Sequence, residues 1–434
     1  MLKKNIQEKL LRNPFVRRVS VLVGGTAIGQ LIAILALPIL TRLYGPEAFS
    51  ALAVYVSILS MLTVVAGLCF EYAIPLPKSN RTAAALCVIA LLSVICFTFL
   101  TVLVVLFFSD ILNLLTKQKI ASFLWFIPLG VFAVGMYNVL QYWSTRQKKF
   151  SLIAKTRVTQ SISGTAAKLG IGYVINVSPL GLIFGQLIAQ GAGFLSLGRS
   201  LVKNDWRVFR QLKCAHLKKA FKKYNKFPKF TVLETYANVA GIQLPIMLIA
   251  YYSPTAEAGY LMIAMQLLAI PMSLIGSAVS QVYLAEGAER YRTGTLGVFT
   301  KNTIRNLAKI ALAPLLLLAI IAPWLMPYIL GEEWQRTGVL ISWMSPWFFM
   351  QFIASPISIV LYITGEQITA MCLQIFGVIL RCGFVLLAVI YSNDQIGEFY
   401  AISGLIFYSI YLIVILKILS RTKCYKNIEG HDDK

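Results

Sequence analysis

The chain has 434 residues, 58% of them hydrophobic and 13% charged, with a mean hydropathy of +0.73 and a formal net charge of +23. Soluble domains carry roughly 45–50% apolar and about 25% charged residues, so this composition excludes an ordinary soluble protein and defines an integral membrane one. Only two histidines, His216 and His431, and no Gly-Lys dipeptide exclude a His-x-x-x-His zinc site and a Walker A loop, and no metal or cofactor is expected.

A helical span needs about 20 apolar residues. In chain order the apolar runs predict twelve, at 19–40, 49–73, 82–108, 120–142, 157–177, 180–201, 231–251, 257–284, 304–329, 338–362, 368–391 and 399–420. The first follows a basic tail but is too long for a signal-peptide core and lacks an A-x-A exit. The seven cysteines fall in apolar runs or lysine-rich segments, which points to packing rather than a disulfide framework.

Residues 203–230 interrupt the series with ten basic residues against one acid, Asp205. Aromatics interleaved with lysines resemble a nucleic-acid-tracking segment, but apolar spans on both sides make this a cytoplasmic connector with no nucleic-acid partner. Its charges hold the inner face against anionic membrane lipids, at about 1 kcal/mol per residue near the surface. The expected organisation is a cytoplasmic tail (1–18), a first six-helix bundle (19–202), the connector (203–230), a second bundle (231–420) and a cytoplasmic tail (421–434). Lysine and arginine agree. Apart from Arg42, Lys117, Lys119, Arg336 and two residues inside spans, they gather on the tails, the even-numbered loops and adjoining span ends. The positive-inside rule then places both termini in the cytoplasm.

Two segments repeat, LPILTRLYGPEAFSALAVYVSIL from Leu37 and LPIMLIAYYSPTAEAGYLMIAMQLL from Leu244. Pro38 corresponds to Pro245, Pro46 to Pro254 and, less closely, Pro128 to Pro346. An even number of spans per half makes the repeat parallel. The bland alternative is chance similarity of spans that end in proline. The expected fold class is an all-α polytopic membrane protein, about twelve transmembrane helices in two six-helix bundles related as parallel repeats, with a cavity between them.

A charge at the centre of a span costs roughly 2.5–3.5 kcal/mol on insertion scales and needs a partner, water or a task. Lys168 lies about eleven residues into the fifth span, near mid-bilayer at about 1.5 Å per residue, and Arg381 is similarly central in the eleventh. Two readings fit them: cavity cations that attract an anionic substrate, or a structural ion pair or carbonyl-capped cation. Glu71 and Glu234, near cytoplasmic span ends, are the candidates for ion coupling, with simple solvation the alternative. Arg42 and Arg146, at span ends, are gating candidates. In-span amides such as Gln30, Asn138, Gln141, Gln186 and Gln190 suit either a hydrophilic path or bonds across helices.

At Thr41 to Ser50 the stretch TRLYGPEAFS resembles the polysaccharide flippases of the multidrug/oligosaccharidyl-lipid/polysaccharide exporter superfamily, most closely the O-antigen (Wzx-type) lipid-linked oligosaccharide translocases. The Arg146 to Arg157 stretch with Phe150 and Ala154, the Lys226-Phe227-Pro228 entry and Gly331-Glu332-Glu333-Trp334 agree, whereas Ser50 stands where the family usually has glycine. The resemblance implies a MATE-like fold in a bacterial inner membrane. The implied activity is non-enzymatic: alternating access moves an undecaprenyl-pyrophosphate-linked oligosaccharide to the periplasmic leaflet, driven by a proton gradient, a sodium gradient or neither. Other implied partners are a polysaccharide polymerase and a chain-length regulator. The alternatives are a multidrug/cation antiporter, which should carry midplane carboxylates, and a membrane-embedded polymerase, for which the longest outer loop, 109–119, is short.

Overall fold

A computed structural model describes residues 14–115, 123–174 and 178–429. The ends of both predicted tails and residues 116–119 of the 109–119 loop therefore lie outside the described residues. The chain divides into two compact units, Met1–Val239 and Ala240–Lys434. Nine helices among the described residues are long and apolar enough to cross a membrane. Two further long helices, Phe126–Arg146 and Phe150–Val174, and a segment whose first helix, Glu257–Pro271, is apolar but short, stand at the places of the other three predicted spans.

In the first unit the long helices are α1 (Pro14–Leu43), α2 (Pro46–Ala66), α4 (Asn80–Leu115), α5 (Phe126–Arg146), α6 (Phe150–Val174) and α7 (Pro179–Asn204), with α3 (Phe70–Ala73) a single turn. Their starts follow local chemistry. Pro46 opens α2 with a fixed φ and no wasted donor, and Ser178 caps α7, its Oγ accepting from the Leu180 amide at 3.4 Å ahead of Pro179. Helix α2 ends at Ala66 rather than at residue 73. Leu68 and Cys69 take left-handed φ of 50° and 55°, a conformation unfavourable for side chains with a Cβ, so Glu71 belongs to the separate turn α3. Helix α6 begins at Phe150, seven residues before the predicted span.

Tyr44 is the pin of this unit. Fully buried, it donates its hydroxyl to the Lys168 carbonyl at 2.7 Å, and Cβ atoms at Gly172 and Gly181 would run into its ring. Small residues bring α1 onto α6 in the same way: Gly25 abuts Ala154, and Ser161 Oγ donates to the Gly29 carbonyl at 2.6 Å.

The connector folds as part of this unit, in α8 (Trp206–Arg210) and α9 (Cys214–Lys223). Asp205 fastens its start, accepting from Trp143 Nε1 at 3.0 Å and from Lys149 Nζ at 2.8 Å, while Phe209 lies edge-on to Trp143. Further along, Ala220 is buried and Phe221 packs on Phe70 of α3 with ring centroids 5.5 Å apart, leaving Lys218, Lys219, Lys222 and Lys223 exposed.

The second unit contains most of α10 (Val232–Tyr252), then α11 (Glu257–Pro271), α12 (Ser277–Arg292), α13 (Leu296–Leu330), α14 (Gln335–Ile357), α15 (Val360–Ile363), α16 (Gln367–Tyr391) and α17 (Ile396–Glu429). A π-turn at Met272–Gly276 joins α11 to α12, so the predicted eighth span is one interrupted segment. Repeat-related prolines occupy related helices: Pro38 lies inside α1 and Pro245 inside α10, and Pro346 in α14 answers Pro128 in α5. A proline inside a helix frees the carbonyl four residues earlier, which lipid cannot satisfy. Pro323 frees Ala319 in α13, and Ser342 of α14 donates to that oxygen. Gly338 makes the approach feasible, since a Cβ there would strike the Ala322 carbonyl.

Candidate functional site

The same logic accounts for Arg381. Pro245 cannot donate to the carbonyl of Gly241, and Arg381 Nη1 supplies the missing bond at 2.9 Å. The guanidinium is 3% exposed and lies over the rings of Phe407, Trp347 and Tyr408, with centroids 4.5, 5.5 and 5.6 Å away. Tyr400 adds a hydroxyl bond to the Ile242 carbonyl at 3.4 Å. The position is enclosed, with one guanidinium nitrogen capping a carbonyl and Nε and Nη2 making no hydrogen bond to a described residue.

Lys168 is different. It lies half-buried on α6, and its Nζ donates to Gln186 Oε1 of α7 at 3.3 Å. A Cβ at Gly185 would collide with Lys168 Cγ, so the glycine provides the seat for the aliphatic stem. Among the described residues no carboxylate forms an ion pair with this ammonium. A cation held by a neutral amide keeps its charge uncompensated and attracts an anion.

Glu71 sits under Gly67, where a Cβ would strike Oε2. The carboxyl is 5% exposed and Oε2 makes no hydrogen bond to a described residue. Burial pushes it up to about 7. Tyr72 and Cys69 flank it on its own turn and Tyr142 faces it from α5. Arg146, at the end of α5, gathers the loop just beyond: Nη1 donates to the Pro75 carbonyl at 3.2 Å and the Pro77 carbonyl at 2.6 Å, and Nη2 to Asn80 Oδ1 at 3.0 Å. Arg146 therefore braces the segment that carries Glu71. Glu234 is half-exposed in the first turn of α10, where the helix dipole favours an acid, and Arg42 is exposed in the last turn of α1. The structure thus brings Glu71 and Arg146 to one end of the first unit, and gives Arg381 a separate enclosed setting in the second.

Sequence reasoning missed two groupings. Arg336, taken for an ordinary outer-loop charge, bridges α11, α14 and α17: Nη2 lies 2.8 Å from Glu257 Oε1 and Nη1 2.5 Å from Glu398 Oε1, with both acids buried. No sequence spacing links these three positions. Arg157, assigned to a cytoplasmic stretch, points along the same helix face as Lys168; the spacing of eleven residues was the available signal.

Two all-helical units of long apolar helices, one of them holding an amide-tethered lysine, describe a polytopic membrane protein. The chain belongs to the polysaccharide biosynthesis protein family, whose model matches residues 39–338. No curated protein sequence matches the chain. It is similar to the inward-facing structure of a multidrug resistance MATE family transporter of the MOP superfamily (15% identity, 91% of this chain and 95% of that one, TM-score 0.62). An outward-facing structure of such a transporter is also similar (15% identity, 94% and 96% covered, TM-score 0.57). So is a MOP-superfamily transporter from Pyrococcus furiosus described as having a binding pocket of reverse polarity (15% identity, 96% and 98% covered, TM-score 0.58). The family and fold expected from the sequence are those found.

Proposed function

We propose that this protein is a flippase that carries a lipid-linked oligosaccharide, joined through pyrophosphate to undecaprenol, from the cytoplasmic to the periplasmic leaflet of a bacterial inner membrane. The product is a repeat unit of O-antigen or a similar surface polysaccharide, which a polymerase and a chain-length regulator then consume. Lys168 carries the proposal: a half-buried ammonium without a carboxylate partner among the described residues, in a polysaccharide biosynthesis protein, suits a pyrophosphate. The prenyl tail stays in lipid while the head group crosses, and Glu71, poised to exchange a proton, is the coupling group. Arg381 caps the carbonyl that Pro245 leaves free in α10.

The antiporter alternative needs carboxylates that bind cations within the spans. Glu257 and Glu398 are both ion-paired to Arg336, and Glu71 lies beyond the end of α2. Mass spectrometry of lipids from cells lacking the protein tests the proposal. Accumulation of a prenyl-pyrophosphate glycan on the cytoplasmic side is expected, and an unchanged glycolipid profile contradicts it.

A further inference from the structure

Helix α13 is longer than a bilayer is thick. Its 35 residues run about 52 Å at about 1.5 Å per residue, against a hydrocarbon core of about 30 Å. Residues 310–330 carry no charge and fill the core by themselves, so the turns before Ile310 project beyond it on the basic, cytoplasmic side. Those turns carry Lys301, Arg305 and Lys309 at intervals of four residues, and the same helix face continues through Leu312 and Leu316. All five are exposed. Three cations therefore climb about 12 Å from the inner boundary of the core, in line with apolar positions just inside it. Among the described residues no carboxylate forms an ion pair with any of the three.

The apolar end of this row lines a cleft of about 280 Å³ within the second unit. Leu312 and Leu316 of α13 face Pro346, Phe349 and Met350 of α14 across it, and Leu405 of α17 completes it. Ser345, the one hydroxyl among its walls, is buried and donates to the Ile341 carbonyl at 2.7 Å, so the walls offer nothing to a sugar or a phosphate. Along α13 the cleft reaches from Leu312 to Ala319, about 10 Å, which lies within one leaflet. Cations at the core boundary with a hydrocarbon-sized slot beneath them match the two halves of an anionic amphiphile. Basic pockets between transmembrane helices on the cytoplasmic side hold such head groups.

We propose that α13 and α14 hold an anionic phospholipid of the cytoplasmic leaflet, its phosphate on Lys301, Arg305 and Lys309 and one acyl chain in the cleft. The chain joins α13 to α14 and α17, and a lipid that binds only the folded protein stabilises it. It is a bound lipid and not cargo, because the cleft stays within one leaflet and has no contact for a glycan. The site shares no residue with Lys168 or Glu71 and does not depend on the flippase reading.

The test is photolabelling of the purified full chain by phosphatidylglycerol with a diazirine in one acyl chain, against phosphatidylcholine of the same chains, read by peptide mass spectrometry with Tm recorded for each variant. Phosphatidylglycerol is expected to label residues 312–319 and 345–350 at least about fivefold more than phosphatidylcholine, since each cation near the surface favours an anionic lipid. The triple variant Lys301→Gln, Arg305→Gln, Lys309→Gln should bring both probes to one level. The same charge loss on α9, by Lys218→Gln, Lys219→Gln and Lys222→Gln, should leave the preference intact. The comparison of the two lipids on the parent needs no variant, so poor folding of the triple variant does not remove the test. Equal labelling of the cleft by both probes in the parent overturns the proposal, and so does a preference that survives in a folded triple variant or is lost equally in the α9 variant. Labelling displaced by farnesyl pyrophosphate but not by unlabelled phosphatidylglycerol gives the cleft to a prenyl chain and overturns it as well.

Discussion

The ammonium of Lys168 is held at 3.3 Å by the side-chain oxygen of Gln186 on the neighbouring helix, and the residue before that glutamine, Gly185, is the surface on which the lysine stem lies. Charge, tether and seat are thus built from two adjacent helices. Gly185→Val adds bulk where the Lys168 stem packs. Overpacking of this kind costs about 1–3 kcal/mol, and we expect a lower Tm together with loss of prenyl-pyrophosphate binding. Gly191→Ala, at a position with open space around it, should alter neither.

Asp205 receives both Trp143 and Lys149 on one oxygen, which fixes the start of the connector to α5 and to the loop that follows it. Asp205→Ala should release α8. Limited trypsin digestion of the purified protein is expected to cut at Arg207 and Arg210 faster than in the parent, and equal cleavage rates would contradict the latch.

Removing one member of a buried ion cluster leaves the others uncompensated and costs about 3–5 kcal/mol. Arg336→Ala, which strands Glu257 and Glu398 together, is therefore expected to destabilise the second unit by about 3 kcal/mol. Glu398→Gln should cost less, because Glu257 still balances the arginine. A denaturation series that ranks the two in the opposite order would refute this account of the cluster.

Glu71 titrates near neutrality because burial disfavours its carboxylate. A carboxyl raised in the folded state binds more protons there than in the unfolded chain. Its contribution to stability is full below the ordinary glutamate range and is lost as pH rises towards and through about 7. Tm should fall over that window in the parent, and the slope should flatten in Glu71→Gln. Tyr72, Cys69 and Tyr142 face the carboxyl but do not titrate in this interval, since burial raises Tyr72 beyond the neutral range and Cys69 to about 12. An identical pH profile in parent and variant would exclude Glu71 as the titrating group.

The number and order of the long helices were legible because apolar runs of bilayer length, proline entries such as Pro46 and Pro179, and the basic connector are local features. Lys168 was legible as well, being the one charge near the middle of a weakly apolar span. Arg381 looked equivalent to it, and only tertiary structure separates the two: its partner, the carbonyl freed by Pro245, lies 140 residues away in sequence. The Arg336 cluster joins residues 79 and 62 positions apart, with no periodicity to reveal it. The end of α2 was misplaced because Leu68 and Cys69 are apolar, and hydropathy carries no sign of a left-handed backbone.

The central claim is that the cation at Lys168 moves an anionic, lipid-linked glycan across the bilayer. The direct measurement is leaflet exchange in vesicles containing the purified protein and an undecaprenyl-pyrophosphate oligosaccharide, read by accessibility of the sugar to an impermeant lectin. The parent should expose the glycan on the opposite face, Lys168→Gln should slow exchange at least tenfold, and Lys168→Arg should retain most of it. Exchange by Lys168→Gln at the parent's rate, with protein inserted and folded equally, would contradict the account.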